Sequence, residues 1–165
     1  MISRGTKLAV GVLAALLLLP AMASAAVKTY GGSAESGASI AFDVKVSKKG
    51  VPKQIKEIRA IDMPGTCEIS GGPIPLNTRI PAKLKVTDGK FSVEFTDDFG
   101  NLNSLDGKFS GKKAKKVKGS FLYANHFEAE GEYPEENCTT EKSKYSLKKG
   151  GPDVEYPEPQ LARGR

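Results

Sequence analysis

Apolar and polar residues alternate along most of the chain, and the alternation is broken by Gly, Pro, Asn and Asp with almost no helical spacing, which predicts an all-β protein. Ile40, Phe42, Val44 and Val46 alternate with Ser39, Ala41, Asp43 and Lys45, so a first strand gives one face to a core and the other to water. A second strand follows the Lys48-Lys49-Gly50 turn over residues 51–61 and ends in the turn chemistry of Asp62-Met63-Pro64-Gly65. Residues 69–80 carry Gly71-Gly72-Pro73 and Pro75 and read as a loop or an irregular edge.

Asp88-Gly89 predicts a two-residue hairpin turn whose register sets Val86 opposite Phe91, Leu84 opposite Val93 and Ala82 opposite Phe95, all on one face. The same pentapeptide, Asp88-Gly89-Lys90-Phe91-Ser92, returns as Asp106-Gly107-Lys108-Phe109-Ser110. A second turn at Asp106-Gly107 would oppose Ser104 and Phe109 and mix the faces. A turn around Lys113 keeps the alternation: Phe109 meets Val117, Gly107 meets Gly119 and Leu105 meets Phe121. A further pair is predicted over residues 129–133 and 143–147, joined through Pro134-Glu135-Glu136-Asn137, with Tyr145 and Leu147 inward. The expected architecture is an antiparallel β-sandwich or jelly-roll-like meander of about eight strands over residues 27–149. Residues 150–165, rich in Gly, Pro and charge, are expected to form a disordered C-terminal tail.

The start of the chain departs from this pattern. Arg4 and Lys7 precede an apolar run from Leu8 to Leu19, Pro20 breaks it, and small residues follow to Ala26. That three-part order predicts a signal peptide over residues 1–26, cleaved after Ala25 or Ala26. The run is short of the roughly 20 apolar residues of a membrane span, and no second hydrophobic stretch follows. A secreted protein, extracellular or in the cell envelope and most simply a monomer, is therefore expected.

Export changes the reading of the cysteines. Only Cys67 and Cys138 are present, and an oxidising compartment makes their disulfide the default. Two cysteines without a nearby histidine do not make a zinc site, and the neighbouring Glu68, Glu135 and Glu136 oppose a reactive thiolate. Removal of Arg4 and Lys7 with the leader lowers the formal net charge from +6 to +4, with the basic excess before residue 120 and an acidic excess after it. Lys112, Lys113, Lys115, Lys116 and Lys118 put five cations into seven residues at a hairpin tip. They suit anionic envelope polymers or lipid headgroups, or else serve solubility and edge protection. Nucleic acid fits poorly because no aromatics are interleaved.

The Gly31-Gly32 entry into the Ile40 strand, Cys67, the 88–92 hairpin, the Gly107-Lys108-Phe109-Ser110-Gly111-Lys112-Lys113 strand and turn, and Cys138 leading into Tyr145 follow one another over about residues 30–148. This order resembles a group of small exported bacterial all-β proteins of unassigned activity. The resemblance implies a sandwich outside the cytoplasm and brings no catalytic residues.

Candidate chemistry is sparse. His126, Glu128 and Glu130 share one strand face in a form that would suit a divalent metal or acid–base work, but no fourth ligand accompanies them. Asp97-Asp98 before Phe99-Gly100-Asn101 reads as a calcium loop or, more commonly, a turn whose Asp bonds its own backbone. No nucleophile elbow, Cys–His pair or phosphate-binding glycine loop occurs. Neither a cofactor nor a metal is predicted. The expected function is a secreted non-catalytic module with a binding or structural role. Next comes a carrier of a small apolar ligand in a β-barrel cleft, disfavoured because the apolar positions look only sufficient to fill a core. A small hydrolase ranks last.

Overall fold

The computed structural model describes residues 25–132 and 134–156; the predicted signal peptide to Ser24 and the tail beyond Tyr156 lie outside them. Ten strands are present: β1 Val27–Ala34, β2 Ser39–Val46, β3 Pro52–Cys67, β4 Gly71–Lys85, β5 Lys90–Thr96, β6 Leu102–Ser110, β7 Lys116–Leu122, β8 Ala124–Phe127, β9 Glu136–Thr140 and β10 Ser143–Lys149. The protein is all-β, and one antiparallel sheet holds every strand in the order β5-β6-β7-β10-β1-β2-β3-β9-β8, with β4 on the other side of β3. Where the alternation leaves a sandwich and a jelly-roll-like meander both open, the chain forms a single antiparallel sheet in which β10 is inserted between β7 and β1. Eight strands, from β5 round to β4, make its wall, and β8–β9 form an added ribbon at the far end of β3.

The wall curls on itself. Phe42 on β2 meets Phe91 on β5 edge to face at 6.0 Å, although four strands separate them along the sheet. Phe91 packs on Phe109 at 5.8 Å, Phe109 on Tyr30 at 5.2 Å, and Phe42 on Tyr145 at 5.4 Å. These tilted and edge-to-face contacts are the favoured geometry for rings and fill the interior between β1, β2, β5, β6 and β10. The curl needs backbone without side chains beneath the rings. A Cβ on Gly107 would fall 2.4 Å from the Phe91 ring and 2.5 Å from the Tyr145 hydroxyl, which donates to the Asp106 carbonyl at 2.7 Å.

The 106–110 copy of the repeated pentapeptide is mid-strand, as its face pattern requires: Phe109 pairs with Val117, Gly107 with Gly119 and Leu105 with Phe121. Other expectations need correction. Residues 62–65 do not end a strand. Asp62 takes φ 55 at an irregularity between Ala60 and Met63, and β3 continues to Cys67. The Gly- and Pro-rich stretch after it is strand β4, which lies at the sheet edge and so tolerates Pro73, Pro75 and Pro81. Residues 143–147 do lie in a strand, with Tyr145 and Leu147 buried, but β10 pairs with β7 and β1. The strand predicted over residues 129–133 is absent among the described residues of that stretch; β8 and β9 flank it instead.

Gly150–Tyr156, the first part of the segment expected to be disordered, packs across the outer side of β1 and β2. Val154 is buried there, and a Cβ on Gly31 would fall 1.7 Å from the Pro152 carbonyl oxygen. Beneath this strap Arg59 is buried and pairs with Asp43 at 3.0 Å, Asp153 at 2.7 Å and Glu57. The Arg59 hydrogen bond holds the Asp43 carboxyl below its ordinary range.

Cys67 and Cys138 form the expected disulfide, joining directly opposed residues of β3 and β9. It closes a sequence separation of 71 residues, for which loop-closure entropy predicts about 4 kcal/mol of stability. The double substitution Cys67→Ser/Cys138→Ser should lower the unfolding free energy in urea by about that amount; an unchanged midpoint and slope would show that the staple contributes nothing.

Candidate functional site: an apolar cleft between diverging strands

Asp88 and Gly89, at φ 50 and 72, form the predicted hairpin turn, and Thr87 and Lys90 exchange both backbone hydrogen bonds. The hairpin then opens. No ladder joins β4 to β5 beyond that bridge: β5 pairs with β6, β4 pairs with β3, and the Val86 N–H donates to the Lys53 carbonyl. The register shift between Ile55 and Glu57 of β3 lies opposite Pro81–Leu84. An extra residue there bends the strand carrying it, where β4 leaves β5.

The side chains that a zipped hairpin would stack on one another line a cleft instead. Val86 and Phe91, next to the turn, are buried. Ala82 and Leu84 line one wall and Val93 and Phe95 the other, with Ile58, Met63 and Phe121 among the residues of the floor. The volume is about 230 Å³. The apolar positions therefore do more than fill a core, because the divergence of β4 and β5 leaves part of their surface without a protein partner. Phe95 stays 48% exposed at the wide end.

Among the polar residues in this lining are Thr78, Asn103 and Tyr123, with Lys83 and Ser104 beside them. Asn103 is committed, since its Oδ1 accepts the Ala124 N–H at 2.9 Å and its Nδ2 donates to the Asn101 carbonyl at 3.4 Å. Burial pushes the Tyr123 phenol up, so it is neutral at physiological pH. The cleft thus offers apolar walls and the neutral hydroxyls of Thr78 and Tyr123, a lining that suits an apolar molecule with a polar group.

The other sequence candidates lie elsewhere. Lys112, Lys113 and Lys115 are exposed in the β6–β7 turn, and Lys116 and Lys118 continue onto the outer face of β7. That turn is folded inward, with Ala114 against the core, its carbonyl accepting the Tyr30 hydroxyl at 2.8 Å, and the Lys115 carbonyl accepting the Lys149 N–H. His126 is on β8, but Glu128 and Glu130 lie past its end. The His126 ring stacks on Phe99 at 3.7 Å, its Nδ1 is 3.0 Å from the Asn137 Oδ1, and its Nε2 is 3.2 Å from Glu135. The Asp97 carboxylate accepts from the Phe99 and Asn101 N–H groups, the backbone-bonded turn rather than an open cation loop. Cys67, Glu136 and Cys138 lie close together, but both sulfurs are in the disulfide and Glu136 accepts from the Ile69 and Ser70 N–H groups. No helix among the described residues is long and apolar enough to cross a membrane. Comparison with family models, curated proteins and solved structures finds no match to this chain.

Sequence reasoning missed Thr78, Asn103 and Tyr123, because nothing local marks an Asn that bonds a backbone N–H from another strand. Replacing Asn103 by Leu should destabilise the fold by roughly 1–3 kcal/mol, since the buried Ala124 N–H loses its acceptor. Urea unfolding measures this, and an unchanged midpoint would show that Asn103 holds nothing in place.

Proposed function

We propose that this protein is an exported binding protein that holds a small apolar molecule in the cleft between β4 and β5. The observation that carries the reading is the divergence of two strands joined by a two-residue turn, which leaves Ala82, Leu84, Val93 and Phe95 facing a space rather than each other. The space, about 230 Å³, exceeds the roughly 150 Å³ cavity that takes benzene and falls below the ~300 Å³ of pockets for drug-sized ligands. A single ring system or a medium-length alkyl chain with one hydroxyl or carbonyl end matches it. A binding role also fits the absence, among the described residues, of a paired acid and base in the cleft.

Export rests on the leader pattern of residues 1–26 and agrees with a disulfide in the folded domain. The mature protein should begin at Ala26 or Val27 by N-terminal mass determination; an intact Met1 on cytoplasmic protein would overturn the assignment.

Isothermal titration calorimetry of the purified protein with decanol tests the cleft. Wild type should bind the alcohol, and Ala82→Phe or Val93→Phe, each of which puts a ring into the space, should weaken binding at least about tenfold while the protein stays folded. Failure of wild type to bind the alcohol, or full binding by both folded variants, would contradict the reading.

A further inference from the structure

Independently of the cleft, the strand register builds a surface that the sequence cluster only partly shows. On the outer face of β5, β6 and β7, Lys90 stands directly opposite Lys108, and Lys108 directly opposite Lys118. Two residues along, Lys116 stands opposite Lys148 of β10, and on the other side Ser120 stands opposite Lys144. All six lysines are exposed. Like charges placed directly across a ladder destabilise a sheet, and nothing compensates them: among the described residues no lysine takes part in an ion pair. The one acid in these rows, Asp106, accepts from the Ser120 hydroxyl. A solvated surface needs charge of some sign, but it does not need one sign repeated opposite itself in three neighbouring strands.

We propose that this outer face binds a linear polysaccharide carrying carboxylate or sulfate groups, laid across the strands. Neighbouring strands are about 4.8 Å apart, so Lys90, Lys108 and Lys118 present a straight row of cations at a regular step, which a polymer with repeating anionic groups can follow. Two shallow depressions, one lined by Lys85, Lys90 and Lys108 and the other by Glu35, Ser120 and Lys144, meet at Lys118 and Asp106 and extend the row, with cations in excess of carboxylates. A lipid surface is a poorer fit, because the exposed large apolar side chains, Phe95, Phe99, Leu102 and Phe127 among them, lie outside these rows and supply no anchor beside the lysines. Single-stranded nucleic acid lacks the aromatic platform it stacks upon. The contact moves from the 112–118 cluster, where the sequence alone places it, to the face of the sheet, with Lys116 and Lys118 common to both.

The test is binding of the folded protein to heparin and to polygalacturonate across a salt series, with vesicles containing anionic lipid and a dT20 oligonucleotide as competing partners. The triple variant Lys90→Gln/Lys108→Gln/Lys118→Gln should lose at least about tenfold in polysaccharide affinity at low salt, while its thermal midpoint stays equal or rises because like-charge pairs are gone. A Lys112→Gln/Lys113→Gln/Lys115→Gln variant should lose much less. Wild-type binding should weaken as salt screens the row. The proposal is overturned if neither polysaccharide binds at low salt, if the sheet-face variant binds like wild type, if the turn variant loses more than the sheet-face variant, or if vesicles or dT20 bind more tightly than both polysaccharides.

Discussion

The contact between Phe42 and Phe91 joins strands that the hydrogen-bonded sheet separates by four others. Apart from the turn at Asp88-Gly89, no backbone ladder connects the two edges of the wall, so side-chain packing sets how far it curls. The five rings from Tyr30 to Tyr145 supply that packing at one end, and Gly107 and Gly119 remove the side chains that would hold the strands away from them. Burial of rings of this size contributes on the order of 1.5–3 kcal/mol each, enough to hold a curl that has no ladder along its seam. At the other end no ring pair and no ladder bridges the seam, and it stays open.

The same division explains why a binding space and a rigid frame coexist in so small a chain. The frame side is heavily tied: β3 carries β4 along its length, β2 and then β9 on its other side, and the disulfide fixes its end. The strap of Gly150–Tyr156 covers the outer face of β1 and β2 and its Asp153 pairs with Arg59, adding a further tie remote from the cleft. The seam between β4 and β5 carries almost none of this load, so a molecule can occupy it without strands being parted.

Much of the fold was legible because alternation reports which face a side chain takes. Phe109, Val117 and Phe121 were placed correctly, and the two copies of the pentapeptide were told apart, since a wrong turn would have put Ser104 against Phe109. Alternation does not report which strand a residue pairs with. Ala82, Leu84, Val93 and Phe95 share a face in a zipped hairpin and in an open cleft alike, so the site's residues were visible and the site was not. Pro81 carried the local hint, since proline within a strand marks an edge or a bulge. The β8–β9 ribbon was hidden because its short strands are held by β3 and the disulfide rather than by their own pattern. The strap was hidden because its docking rests on backbone against Gly31, which composition does not register. The lysine rows were half visible: density marks the 112–118 cluster, but only register brings Lys90, Lys144 and Lys148 beside it.

Backbone amide exchange measured residue by residue in the mature protein tests the open seam most directly. Gly89 accepts the Phe109 N–H, and Val86 donates to Lys53, so alternation along each strand points the amides of Ser92 and Glu94 at β4 and that of Lys85 at β5. With the seam open, those of Ser92, Glu94 and Lys85 should exchange at close to free-peptide rates while Leu84, Phe91 and Val93 are protected. Equal protection of Ser92, Glu94 and Lys85 would mean a zipped hairpin, and with it no cleft.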